Sequence, residues 1–127
     1  MSESHSKVVL GIDDNPAELG LLNQILMRAG YTFVASDAAE CFNLVLRCAP
    51  RLILLDIQMP GIDGFDVCRR LRSMPELRQV PIAFLTGNKR HEDVRQGMAA
   101  GGNDFIIKPF DRDTLLARVN HWTSRRV

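Results

Sequence analysis

The run Leu52-Ile53-Leu54-Leu55 is apolar at every position and stops at Asp56. A strand with one wet face alternates apolar and polar residues, whereas a strand buried on both faces of a helix-covered parallel sheet is apolar throughout. This run therefore belongs in the middle of a covered sheet. Such sheets bind ligands just beyond the carboxyl ends of their strands, so Asp56 is a charge delivered to a ligand edge. Three more runs end in the same manner: Val8-Val9-Leu10-Gly11-Ile12 in Asp13-Asp14, Ile82-Ala83-Phe84-Leu85 in Thr86, and Phe105-Ile106-Ile107 in Lys108. Four strands thus carry three carboxylates, a hydroxyl and an ammonium to one edge. That set suits Mg²⁺ and a phosphoryl group.

Helix-like segments separate these runs. Asn15-Pro16-Ala17-Glu18 reads as an N-cap, a proline at the first helical position and a glutamate three after the cap, the signature of a capping box. Leu19, Leu22, Ile25, Leu26 and Ala29 recur at helical spacing, and Gly30 is a stop. Thr32 to Ser36 reads as a strand, and Asp37 with Glu40 opens a second helix that ends near Ala49-Pro50. The loop Met59-Pro60-Gly61-Ile62-Asp63-Gly64 leads into a helix carrying Phe65, Val67, Cys68 and Leu71. A fourth strand is expected from about Val80 to Leu85 and a fifth from Asp104 to Ile107, before a helix opening at Asp111. The stretch from Asn88 to Gly102 is the weakest helix, with Gly97 inside it and few apolar anchors: a mobile segment or simply an exposed one. Five strands alternating strictly with five helices define an α/β fold with a doubly wound, right-handed parallel sheet.

The chain has 127 residues, enough for one domain with a real core. Sixteen Lys and Arg stand against fifteen Asp and Glu, so no overall field recruits nucleic acid or an anionic membrane. Basic groups at Arg69-Arg70-Arg72 and Arg125-Arg126 read as solvated faces. Val8 to Ile12 is too short for a signal segment or a membrane span, which places the expected location in the cytoplasm. Cys41, Cys48 and Cys68 form no CxxC pair and read as small reduced hydrophobes; His5, His91 and His121 match no metal-ligand spacing.

Carboxylates converging on one edge repel. Two unit charges about 5 Å apart at an effective dielectric near 20 do so by roughly 3 kcal/mol, which either raises a pKa or recruits a divalent cation. Oxygen ligands without imidazole or thiolate favour Mg²⁺. A carboxylate can also be a nucleophile toward phosphorus, a reaction that asks mainly for positioning and charge neutralisation.

Four motifs in order carry a resemblance: Asp13-Asp14-Asn15-Pro16, Leu54 to Gly64, Leu85-Thr86-Gly87, and Ile107-Lys108-Pro109-Phe110. Over about residues 7 to 122 the chain resembles the receiver domain of two-component response regulators, a flavodoxin-like (CheY-like) (βα)5 fold with strand order 2-1-3-4-5. The resemblance implies a phosphoacceptor at Asp56, charged by a sensor histidine kinase or a histidine phosphotransfer protein. It implies Mg²⁺ held by Asp13, Asp14, Asp56 and the backbone carbonyl of Gln58. Lys108 would pair with the phosphate, Thr86 and Gly87 would border it, and Phe105 would be the switching aromatic. Gln58 and Asn88 would tune the phosphoryl lifetime, and the peptide before Pro109 would be cis. A downstream protein target would read the helix 4/strand 5/helix 5 surface, with homodimerisation on phosphorylation left open.

The chain departs from the family's usual pattern at Gly87, where Ala or Ser is common, and at Gly101-Gly102-Asn103-Asp104, which adds slack before strand five. The expected organisation is a disordered tail at 1–6, a receiver domain at 7–124 and a tail at 125–127. A haloacid-dehalogenase-type phosphatase would need a second carboxylate at position 58, where Gln58 stands. A flavin site would need a phosphate cradle where Asp13-Asp14 would repel one. A phosphorylation-independent scaffold, or the receiver portion of a longer regulator, stays open beside the stand-alone switch.

Overall fold

The computed structural model describes residues 7–87 and 91–124. The tails expected at 1–6 and 125–127, the residue Asn88 and the side chain of His91 lie outside the described residues. Ten elements alternate along the chain: β1 (Val8–Ile12), α1 (Pro16–Arg28), β2 (Thr32–Ser36), α2 (Cys41–Cys48), β3 (Leu52–Asp56), α3 (Gly64–Arg72), β4 (Ile82–Thr86), α4 (His91–Ala99), β5 (Asp104–Ile107) and α5 (Arg112–Thr123). The five strands form one sheet, parallel throughout, in the order β2-β1-β3-β4-β5. This is the doubly wound (βα)5 arrangement expected from the sequence.

Alternation along each strand sends successive side chains to opposite faces of the sheet. Leu10, Ile12, Ile53, Leu55, Ile82 and Phe84 pack with Cys41 and Val45 of α2 and Val67, Cys68 and Leu71 of α3. Val9, Leu52, Leu54, Ala83, Leu85 and Ile106 pack on the other side with Leu22 and Leu26 of α1 and Leu115 and Val119 of α5. Every residue of β3 and β4 is buried, the physical content of their unbroken apolar runs. Each such side chain contributes roughly 1.5–3 kcal/mol by leaving water. Helix α5 is also tied to β5 by polar bonds, with Trp122 Nε1 donating to Asp104 Oδ2 at 2.9 Å and Arg118 donating to Asp104 Oδ1 at 2.5 Å.

Three boundaries differ from expectation. β4 begins at Ile82, not Val80, because the Val80 N–H bonds to Leu77 O, its carbonyl accepts from Arg72, and Pro81 has no N–H to give the ladder. It extends to Thr86, whose carbonyl accepts from Lys108 N at 2.7 Å. Asp37 Oδ1 accepts from Glu40 N at 2.8 Å and closes a turn, so α2 starts only at Cys41. Two small elements were not anticipated: an antiparallel ribbon pairing Gln58–Met59 with Ile62–Asp63, and a 3₁₀ turn at Pro75–Leu77.

Candidate functional site

Parallel register levels the carboxyl ends of the strands. Ile12 lies opposite Leu55, Asp56 opposite Leu85, and Thr86 opposite Ile107. Asp13, Asp56, Thr86 and Lys108 therefore emerge side by side, although ninety-five residues separate the first from the last. Asp13, Asp56 and Thr86 are all at most 3% exposed.

Lys108 is the hub. Its Nζ donates to Asp56 Oδ1 at 3.0 Å, to Glu18 Oε1 at 2.9 Å and to Glu18 Oε2 at 3.0 Å. Asp56 Oδ1 also accepts weakly from Gln58 N at 3.4 Å. The Lys108–Pro109 peptide is cis. Phe105 is buried, its ring 5.1 Å from Phe84, which in turn meets Phe65 edge-on at 5.4 Å.

Helix starts fix the remaining side chains. Asn15 Oδ1 caps α1 by accepting from Ala17 N and Glu18 N, with Pro16 at the first helical position. Gly64 opens α3 hard against β3; a Cβ there would meet Asp56 O at 2.6 Å and Ile57 Cα at 2.7 Å, so no larger residue fits that approach. Gln58 is exposed on the ribbon, and Gly87 is exposed beyond β4.

One reading from the sequence needs correction, and one residue it did not place in the site joins it. Glu18 does not complete a capping box: the Asn15 N–H donates to Asp13 Oδ1 at 3.1 Å, and the Glu18 carboxylate turns to Lys108. A further carboxylate, Glu18, packs with Asp13 and Asp56. One carboxylate oxygen from each of Asp13, Glu18 and Asp56 lies within 4.8 Å of the others. Asp14 is exposed at the mouth, its Oδ1 accepting from Ala38 N at 3.3 Å. Adjacent residues leaving a strand point to opposite sides, which sends Asp13 inward and Asp14 outward. The signal that could have found Glu18 is its place in the first turn of a helix, where side chains lean back toward the N-terminus and so over the sheet edge.

The electrostatics follow from this crowding. Burial, a carboxyl contact with Glu18 and the nearby Asp56 charge push Asp13 up to about 8, against the pull of the Asn15 N–H. Burial also raises Glu18, but the neighbouring Asp13 carboxyl and the bonds from Lys108 outweigh it and its pKa lies below the ordinary value. Lys108 is held above its ordinary value because Glu18 and Asp56 outweigh its partial burial. Asp13 Oδ2 is buried with no hydrogen-bond partner. A buried carboxylate oxygen without a donor, beside two more carboxylates, fits a hard divalent cation. A cleft of about 480 Å³ lined by Asp13, Asp14, Pro16, Leu19, Ser36 and Ile62 opens next to it.

Comparison with known proteins assigns the class. The response regulator receiver domain matches residues 9–120, and the chain belongs to this family. Its fold and acidic pocket are those of the receiver domain of two-component response regulators. The response regulator PleD of Caulobacter vibrioides is 38% identical over 116 residues, covering 91% of this chain and 26% of PleD. The chain thus spans about a quarter of that relative's length. Among solved structures, the chemotaxis protein CheY4 of Vibrio cholerae superposes with a TM-score of 0.88 at 26% identity, covering 93% of this chain and 98% of CheY4. The receiver domain of the sensor histidine kinase PA1611 from Pseudomonas aeruginosa, which has a magnesium ion coordinated in its active site cleft, superposes with a TM-score of 0.85 at 29% identity, covering 94% of this chain and 99% of that domain. Among the described residues no helix is long and apolar enough to cross a membrane.

Proposed function

We propose that the chain is a phosphorylation-driven switch whose phosphoacceptor is Asp56, charged by a sensor histidine kinase or a histidine phosphotransfer protein. The observation that carries this reading is the 3.0 Å bond from Lys108 Nζ to the buried Asp56 Oδ1 at the carboxyl edge of the sheet. An Asp56 carboxylate oxygen attacks the phosphorus, the P–N bond of the phosphohistidine breaks, and its electron pair returns to the imidazole nitrogen. Lys108 neutralises charge on the transferred group, and the Thr86 hydroxyl donates to it. Asp13, Asp14, Asp56 and the Gln58 carbonyl would hold Mg²⁺, which when bound supplies charge neutralisation at the phosphoryl oxygens.

Gly87 leaves open space beside the group, since nothing lies within 4 Å of where a Cβ would stand. Gln58 and Asn88 set the hydrolytic lifetime, because neither is a carboxylate that would orient water strongly. Reversing a 1:99 equilibrium takes about 5.5 kcal/mol, and charge-assisted hydrogen bonds contribute about 1.5–3 kcal/mol each. Thr86 and Lys108 together supply most of a full switch, and a downstream protein reading the α4/β5/α5 face, where Phe105 sits, completes it. The location proposed is the cytoplasm.

The test is intact mass after incubation with acetyl phosphate and Mg²⁺. The expected result is a gain of about 80 Da that hydroxylamine removes and that Asp56→Asn abolishes. No adduct together with no binding of beryllofluoride would replace the switch by a phosphorylation-independent scaffold.

A further inference from the structure

Glu18 is outside the residue set that the family resemblance supplies, yet it takes most of the hydrogen-bonding capacity of Lys108. A lysine ammonium has three N–H donors and no acceptor. Two of them go to the two Glu18 oxygens and the third to Asp56 Oδ1, at 2.9, 3.0 and 3.0 Å. The donor set is therefore full. The two side chains are only 19% and 23% exposed, so water screens this pair less than it would one on the open surface.

A phosphoryl group on Asp56 brings new anionic oxygens to the same ammonium. Lys108 can turn the donor now on Asp56 Oδ1 to one of them, but it can serve a second only by releasing Glu18. The released carboxylate then faces Asp13, whose buried Oδ2 already lacks a donor. Both effects oppose phosphorylation. Because both Glu18 oxygens are committed to Lys108 while Asp13 Oδ2 is uncommitted, Asp13 is the group poised for a cation and Glu18 the group poised to restrain the lysine.

We propose that Glu18 is a positioning residue that holds Lys108 in the unphosphorylated protein and competes with the phosphoryl group for it, setting the threshold of the switch. This rests on the reading of Asp56 as phosphoacceptor. Phosphoryl mimics should therefore bind more tightly once the Glu18 charge is removed.

The test is the affinity of the full chain for beryllofluoride at saturating Mg²⁺, measured by titration calorimetry, with Mg²⁺ affinity measured separately. Glu18→Gln keeps the length, one acceptor oxygen and the helix propensity while removing the charge; Glu18→Ala removes all polar atoms. Both variants are expected to bind beryllofluoride about tenfold more tightly at saturating Mg²⁺, about 1.4 kcal/mol, with a loss of Mg²⁺ affinity well below that of Asp13→Asn. A change in beryllofluoride affinity without a matching change in melting temperature separates positioning from a structural role. Unchanged or weaker beryllofluoride binding in both variants would overturn the proposal. So would a loss of Mg²⁺ affinity as large as that of Asp13→Asn, which would make Glu18 a cation ligand instead. A parent protein that binds no beryllofluoride at all would remove the phosphoacceptor reading itself, an outcome distinguishable from the others.

Discussion

Replacing Asp13 with asparagine should stabilise the cation-free protein, although it alters the middle of the site. Asp13 is 2% exposed, and burial with the Glu18 contact raises its pKa from 3.8 to about 8. A folded-state pKa above the unfolded one means that the folded form keeps a proton which the unfolded chain has lost. The stability tied to this group is therefore complete below pH 3.8 and declines as pH rises toward 8, above which it changes no further. Between pH 3.8 and 7 the unfolded chain gains about 4 kcal/mol of ionisation free energy that folded Asp13 forgoes, at roughly 1.4 kcal/mol per pH unit. Asn has the same shape and no ionisation to forgo, and its amide can donate toward Asp56 and Glu18. Asp13→Asn is expected to gain about 2–4 kcal/mol at pH 7 in chelator, measured by urea unfolding. The difference between variant and parent should vanish near pH 4 and level off above pH 8. Mg²⁺ at a hundredfold over its Kd should stabilise the parent by about 2.7 kcal/mol and the variant far less. A variant less stable than the parent at pH 7, or a difference that does not grow between pH 5 and 7, would show that folded Asp13 does not retain its proton.

Other perturbations probe the scaffold around the site. Gly97 of α4 lies on the aromatic cluster, where a Cβ would meet Phe105 Cζ at 2.4 Å and Phe84 Cε2 at 2.9 Å. Gly97→Ala should therefore destabilise by about 1 kcal/mol in urea unfolding, the overpacking outweighing a helix-propensity gain of about 1 kcal/mol; a stabilised variant would mean the slot is open. Arg72 donates to the carbonyls of Gly101, Leu77 and Val80 and to Asn103 Oδ1, bracing the entries to β4 and β5. Arg72→Leu should cost about 3 kcal/mol by the same assay, and Arg72→Lys should recover only part because one ammonium cannot span all four acceptors. Burial pushes the Cys41 thiol up to about 12 and Cys68 up to about 11. In native protein at pH 8 a disulfide reagent should leave both unmodified over hours and reach Cys48 first, since it alone of the three is partly exposed.

The sheet was legible because its central strands are buried on both faces. Leu52 to Leu55 and Ile82 to Leu85 admit no other economical placement, and the polar residues that follow them mark the ligand edge. Strand ends were less legible where a side chain or an imino acid decides them, as Arg72 and Pro81 do for β4. The site was legible in its strand-borne members Asp13, Asp56, Thr86 and Lys108, which parallel register must bring level. Glu18 was not, because a glutamate three residues after an N-cap has an adequate local partner in the cap N–H. Its true partner lies ninety residues away, and the cap N–H is taken by Asp13. Asp14 lines the same cleft as Asp13 but is exposed at its mouth, because strand alternation turns it outward. The ribbon at Gln58–Met59 and Ile62–Asp63 is only two residues a side and carries no pattern that sequence could reveal.

The central claim is that Asp56 accepts the phosphoryl group, and reductive trapping tests it at the level of the residue. The protein would be incubated with acetyl phosphate and Mg²⁺, treated with borohydride and digested for peptide mass mapping. An acyl phosphate is reduced to an alcohol, so homoserine is expected at position 56, with unmodified carboxylates at Asp13, Asp14 and Glu18. Reduction at any of those three positions with Asp56 intact would contradict it.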